Sequence, residues 1–95
     1  MNDSILPDEQ IEKEVAKLNV GWSHIPGEGL VRVFETGGFA EGLALVNRIG
    51  QVAKDQGHDL EVTLRPDEVD VTAFTPDAGG VTQKDLELAR AIDGI

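Results

Sequence analysis

Ninety-five residues with 40% apolar side chains suffice for one packed core and not for two, so a single domain over 1–95 is expected. The formal net charge is -10, and the 8 Lys and Arg are scattered singly; phosphate backbones and anionic membranes attract basic clusters, so neither is an expected partner. One Trp, three Phe and no Tyr leave little for base stacking. With no Cys there is no disulfide frame, thiolate zinc site or thiol nucleophile. No charged start leads into an apolar run, and no stretch is long enough to span a bilayer, so a cytoplasmic protein is expected.

In chain order, Met1 to Ser4 read as a loose start. Pro7-Asp8-Glu9-Gln10 opens a first helix, with Pro suited to the first turn and acids complementing the dipole. Ile11, Val15 and Leu18 give it one apolar stripe, and Asn19 and Gly21 close it. Trp22 begins a short strand, Pro26-Gly27-Glu28-Gly29 turns it, and Leu30 to Phe34 alternates around Val31 and Val33 as its hairpin partner. Thr36 stands where it can cap the next helix.

That helix, Phe39 to about Gln56, is the longest element. Phe39, Leu43, Val46, Ile49, Gly50 and Ala53 fall on one side, widened by Leu45 and Val52. This breadth hints at a helix-to-helix contact with another subunit. Gly57 suits a left-handed C-terminal cap. Val62 and Leu64 then alternate with Glu61, Thr63 and Arg65. Past the Pro66-Asp67 turn, Val69, Val71 and Ala73 alternate with Asp70, Thr72 and Phe74, making a second hairpin. Thr82 and Asp85 form a close relative of the capping box, and Leu86, Ala89 and Ile92 give the last helix its stripe. The order predicts an α+β fold, α-β-β-α-β-β-α, with a four-stranded antiparallel sheet carrying three helices on one face.

Chemistry concentrates between Gly57 and Asp85. His58 follows a helix C-terminus, where the carbonyl dipole favours a protonated imidazole. Asp59 beside it makes a candidate acid/base couple, although neighbours on an extended segment point to opposite faces. Asp85 reads first as a cap, being a carboxylate at the third position of a helix after Thr82, and Asp77 as a turn residue. Gly79-Gly80 before a helix could offer amide donors to an anion but lacks phosphate-loop spacing. His24 has no acid or second ligand near it in sequence, and two distant histidines without cysteine make a metal site improbable.

The pattern resembles the pterin-4a-carbinolamine dehydratase family over nearly the whole chain. The likeness rests on Leu6-Pro7-Asp8-Glu9-Gln10-Ile11, Gly21-Trp22, Arg32-Val33-Phe34, Phe39, and His58 after the long helix. Its clearest piece is Gly79-Gly80-Val81-Thr82-Gln83-Lys84-Asp85-Leu86, followed by Leu88 to Asp93. The resemblance implies dehydration of 4a-hydroxytetrahydropterins to quinonoid dihydropterins, with no metal or organic cofactor. It also implies dimers joined through sheet edges, or tetramers joined through the long helices. Some members act instead as binding or assembly factors for a protein partner.

The family's site is a His-His-Pro run, an aromatic residue in the third strand, a later His and an Asp on the last helix. His58 and Asp85 match the first His and the Asp. Asp59 holds the second His position, Leu60 the Pro position, and Pro76, just before Asp77, the later His position; the aromatic position falls near Pro66. By this likeness the expected catalytic residues are His58, Asp59 and Asp85, with Leu60, Pro76 and Asp77 against the substrate.

Overall fold

The computed structural model describes residues 4–95. Of the loose start, only Ser4 is among them. The elements are α1 (Asp8–Val15), β1 (Ser23–Ile25), β2 (Gly29–Glu35), α2 (Phe39–Gln56), β3 (Glu61–Leu64), β4 (Glu68–Ala73) and α3 (Gln83–Asp93), in the expected order. All strand pairs are antiparallel, in the spatial order β1-β2-β4-β3. The two hairpins therefore join through their second strands, with Leu30 opposite Ala73 and Phe34 opposite Val69.

The two-residue strand period divides the sheet's faces. Val69, Val71 and Ala73 of β4 are completely enclosed under the helices. Leu30, Val62 and Leu64, each paired to one of them in register, share that face. Ile11 from α1, Ile49 from α2, and Leu86, Leu88, Ala89 and Ile92 from α3 complete the core. Each large enclosed aliphatic side chain contributes about 1.5–3 kcal/mol relative to exposure, so this shared face is what holds the hairpins and helices together. Among the described residues, no helix is long and apolar enough to cross a membrane.

Four local expectations change. On β2 the helix-facing residues are Leu30, Arg32 and Phe34 rather than Val31 and Val33; Val33 is 48% exposed. Arg32 sits among apolar neighbours because its Nη1 donates to Asp93 Oδ1 at 2.8 Å. Its guanidinium also lies 4.2 Å from the centroid of the Phe34 ring. On α2 the core stripe is Gly42, Leu45, Val46, Ile49, Val52 and Ala53, whereas Phe39 and Leu43 stand exposed. The cap of α2 is Gly38, with no side-chain bond; the Thr36 hydroxyl donates instead to the Gly38 carbonyl at 3.2 Å. Helix α1 ends at Val15, short of Leu18, which still packs on the core from the following turn.

The register collects the loops that matter at one end of the sheet. There lie the β1–β2 turn (26–28), the approach to β3 (57–60), the loop after β4 (74–82) and the start of α3.

Candidate active site

The approach to β3 is shaped by Gly57, the α2 cap, at φ 68 and ψ 31. This left-handed geometry costs a glycine little and any residue with a Cβ more. The His58 N–H closes the turn on the Ala53 carbonyl at 3.1 Å. The imidazole is thereby directed toward the start of α3, where His58 Nε2 lies 2.6 Å from Asp85 Oδ1, with the ring 11% exposed.

Asp85 is completely enclosed, and among the described residues its carboxylate is met by the Thr75 hydroxyl, the Thr82 N–H and the His58 ring. Its Oδ2 accepts the Thr82 N–H at 2.9 Å and the Thr75 hydroxyl at 2.7 Å. Since the Thr75 proton is used there, Thr82 must donate across the 2.9 Å contact between the two hydroxyls. The Thr82 Oγ1 in turn accepts the Lys84 N–H at 3.3 Å. The capping residues expected from sequence thus extend into a satisfied buried chain that ends on the imidazole. In the neutral ring, the bond to Asp85 fixes the proton on Nε2 and leaves Nδ1 as the nitrogen able to exchange one.

Asp59 takes the opposite direction, as the two-residue period requires. It lines an open cleft of about 450 Å³ with Leu60, Glu61, Thr72, Phe74, Pro76, Gly27 and Glu28. Glu61 and Thr72 are directly paired across β3 and β4, so the cleft sits on the helix-free face and wraps over the sheet's end. Three carboxylates, one hydroxyl and one aromatic ring surround it.

The structure therefore separates the six sequence-derived residues into groups. His58 and Asp85 meet each other; Asp59, Leu60 and Pro76 meet around the cleft. Neither the imidazole nor the Asp85 carboxylate is part of the cleft wall. Asp77 is exposed in the turn made by the Ala78 and Gly79 N–H groups donating to the Thr75 carbonyl, away from that wall. Glu28, Glu61, Thr72 and Phe74 were missed. The two-residue period puts Asp59, ahead of β3, on the side of Glu61, and Phe74, just past β4, on the side of Thr72, but the pairing that joins the strands is needed to see the cleft. His24 was also read as isolated, yet its Nδ1 lies 3.3 Å from Glu12 Oε2 on α1, with the ring only 4% exposed.

Residues 4–95 match the family model for pterin 4 alpha carbinolamine dehydratase. The chain belongs to this family. A relative from Natronomonas pharaonis, provisionally named a pterin-4-alpha-carbinolamine dehydratase, is 38% identical over 88 residues, covering 93% of this chain and 91% of its own. A Trichormus variabilis protein with the same provisional name is 35% identical over 91 residues, covering 96% of each. The fold is shared with a Brucella melitensis crystal structure described as a transcriptional coactivator/pterin dehydratase. That likeness has a TM-score of 0.85 at 24% identity, covering 96% of this chain and 97% of the other.

Proposed function

We propose that this pterin carbinolamine dehydratase family member removes water from 4a-hydroxytetrahydropterins in the cleft beside His58. The reading is supported by the cleft lined by Asp59 in a chain of this family, with the anchored imidazole of His58 the next residue along the backbone and behind the cleft wall. In the reaction, a ring nitrogen beside the hydroxyl-bearing carbon loses its proton and its electron pair forms the new C=N bond. The C–O bond breaks, and the departing oxygen takes a proton and leaves as water. His58, held through Nε2 and outside the cleft wall, has Nδ1 for one of these transfers by way of an intervening water. Asp59 serves as the neighbouring carboxylate in place of a second imidazole. The carboxylates of Glu28 and Glu61 suit the N–H and amino groups of a pterin edge, being acceptors only. Phe74 supplies an aromatic surface for the ring. Purified protein should accelerate dehydration of a 4a-hydroxytetrahydropterin over the uncatalysed rate, and His58→Ala should remove most of the acceleration.

A second reading is favoured by one observation: Asp59, Leu60 and Pro76 stand where the family pattern has His, Pro and His. In it the protein is a non-catalytic relative that binds a protein partner. Absence of both turnover and saturable pterin binding would select this reading. Under either, we expect a homo-oligomer, which the exposed Phe39 and Leu43 on α2 favour; sedimentation velocity giving only monomer would contradict that.

A further inference from the structure

The chain has two histidines, and the proposed mechanism uses one. The other, His24 on β1, is a buried imidazole at the same end of the sheet. It lines a cavity of about 80 Å³ against the start of α1 and the Gly79-Gly80 loop. A water molecule takes about 30 Å³ of liquid volume, so this space has room for water and for nothing as large as a substrate. Gly27 and Phe74 wall both this cavity and the larger cleft. The two spaces are thus neighbours across one glycine backbone and one ring. Glu12 engages Nδ1 at 3.3 Å, which leaves Nε2 for exchange with cavity water. Among the described residues, the other charged group on the cavity is Asp8 of α1, and Glu28 stands on the cleft side of the shared wall.

We infer that His24 is a further proton-exchanging group of the site, acting on the cleft through water in the small cavity. It takes the place of the histidine missing at Pro76, which lines the same cleft. The inference rests on the dehydratase reading. In the balanced step, the C–O bond breaks as the hydroxyl oxygen takes a proton from the cavity water, and His24 resupplies that water. The proton removed from the ring nitrogen goes to His58, and both imidazoles re-equilibrate with solvent after water leaves. His24 does not touch the substrate, so it is a positioning and relay residue.

The test compares the full chain with His24→Asn, which keeps a donor near Glu12 but cannot exchange a proton near neutrality, and with His24→Gln. Steady-state dehydration of a 4a-hydroxytetrahydropterin is measured against pH. A folded His24→Asn should lose about tenfold to a hundredfold in kcat, the lower part of the general acid–base range. KM should be unchanged, and the alkaline limb of the wild-type profile should flatten. A purely structural His24 would lower the melting temperature and leave the limb in place. A wild-type profile retained by either folded variant overturns the relay while leaving the dehydratase reading standing. Should both variants fail to fold, the wild-type His24 ring signal in an NMR titration with 7,8-dihydropterin decides. Movement on saturation supports the relay, and an unmoved signal overturns it. Wild-type protein showing neither turnover nor dihydropterin binding overturns both ideas together.

Discussion

His58 Nε2 meets Asp85 Oδ1 at 2.6 Å although the residues are 27 positions apart, which ties the exit of the long helix to the first turn of the last. Because Asp85 is completely enclosed, it holds the imidazole from beneath while Asp59 faces the cleft. The expectation that His58, Asp59 and Asp85 would surround one ring together is thereby divided between a support and a wall.

Removing that support should be costly. Asp85→Ala deletes the acceptor for the Thr82 N–H, the Thr75 hydroxyl and His58 at once. Losing a helix cap costs about 1 kcal/mol, and each buried donor left unpaired adds about 1–3 kcal/mol. Counting the Thr82 N–H with the cap, denaturant unfolding should show a loss of about 3–7 kcal/mol by these measures. A loss under about 0.5 kcal/mol, the range of neutral surface changes, would mean that the chain of bonds does not support the fold.

Cleft and imidazole should separate kinetically. His58→Ala should lower kcat by about 10²–10⁴, the range for a positioned acid or base. Glu61→Gln should act mainly on KM, because a neutral amide replaces one acceptor on the cleft wall. Initial-rate measurements on the two variants check this; a Glu61→Gln effect confined to kcat would contradict the wall assignment.

Two glycines with positive φ should respond differently to alanine. Gly57 has φ 68 and open space where a Cβ would go, so Gly57→Ala should cost about 1 kcal/mol for the left-handed cap alone. Gly29 has φ 125, and an added Cβ would run into the Ala73 carbonyl and Phe74. Gly29→Ala should therefore cost clearly more and disturb the cleft through Phe74. Equal unfolding midpoints for the two variants would contradict the close approach of β2 and β4.

At the far end of the sheet, Arg65 Nε donates to Asp70 Oδ2 at 2.9 Å. This bond holds the Asp70 carboxyl below its usual range, while Glu68 is pushed up chiefly by its hydrogen bond with Asp70. The signs are opposite. The contribution from Asp70 is present above the usual carboxylate range and fades as pH falls through its lowered value. That from Glu68 is present at low pH and fades as pH rises through its raised value. Both acids are solvent-screened, so stability should change little. NMR titration should instead show the Glu68 midpoint fall in Asp70→Asn; an unmoved midpoint would contradict the pairing.

The sequence made local features legible and left pairwise ones hidden. The Gly57 cap, the Thr82–Asp85 cap and the stripe of α3 depend on residues within one or two turns, and each stands as expected. The β2–β4 pairing depends on residues some forty positions apart, and no local period encodes it. The face of β2 was misjudged because Arg32 reads as a solvent residue until Asp93 and Phe34 are seen to receive it. Likewise, Phe39 and Leu43 share a helical stripe with Val46, but only Val46 reaches the core. The opposed directions of His58 and Asp59 were visible in the strand period. What lay beneath one and around the other required the fold.

The most direct measurement is single-turnover dehydration of a 4a-hydroxytetrahydropterin by wild type and His58→Ala at matched concentration and near-neutral pH. Wild type should accelerate the reaction, and the folded variant should be slower by about 10²–10⁴. Equal rates for wild type and buffer, or an undiminished rate in His58→Ala, would contradict the proposed catalysis.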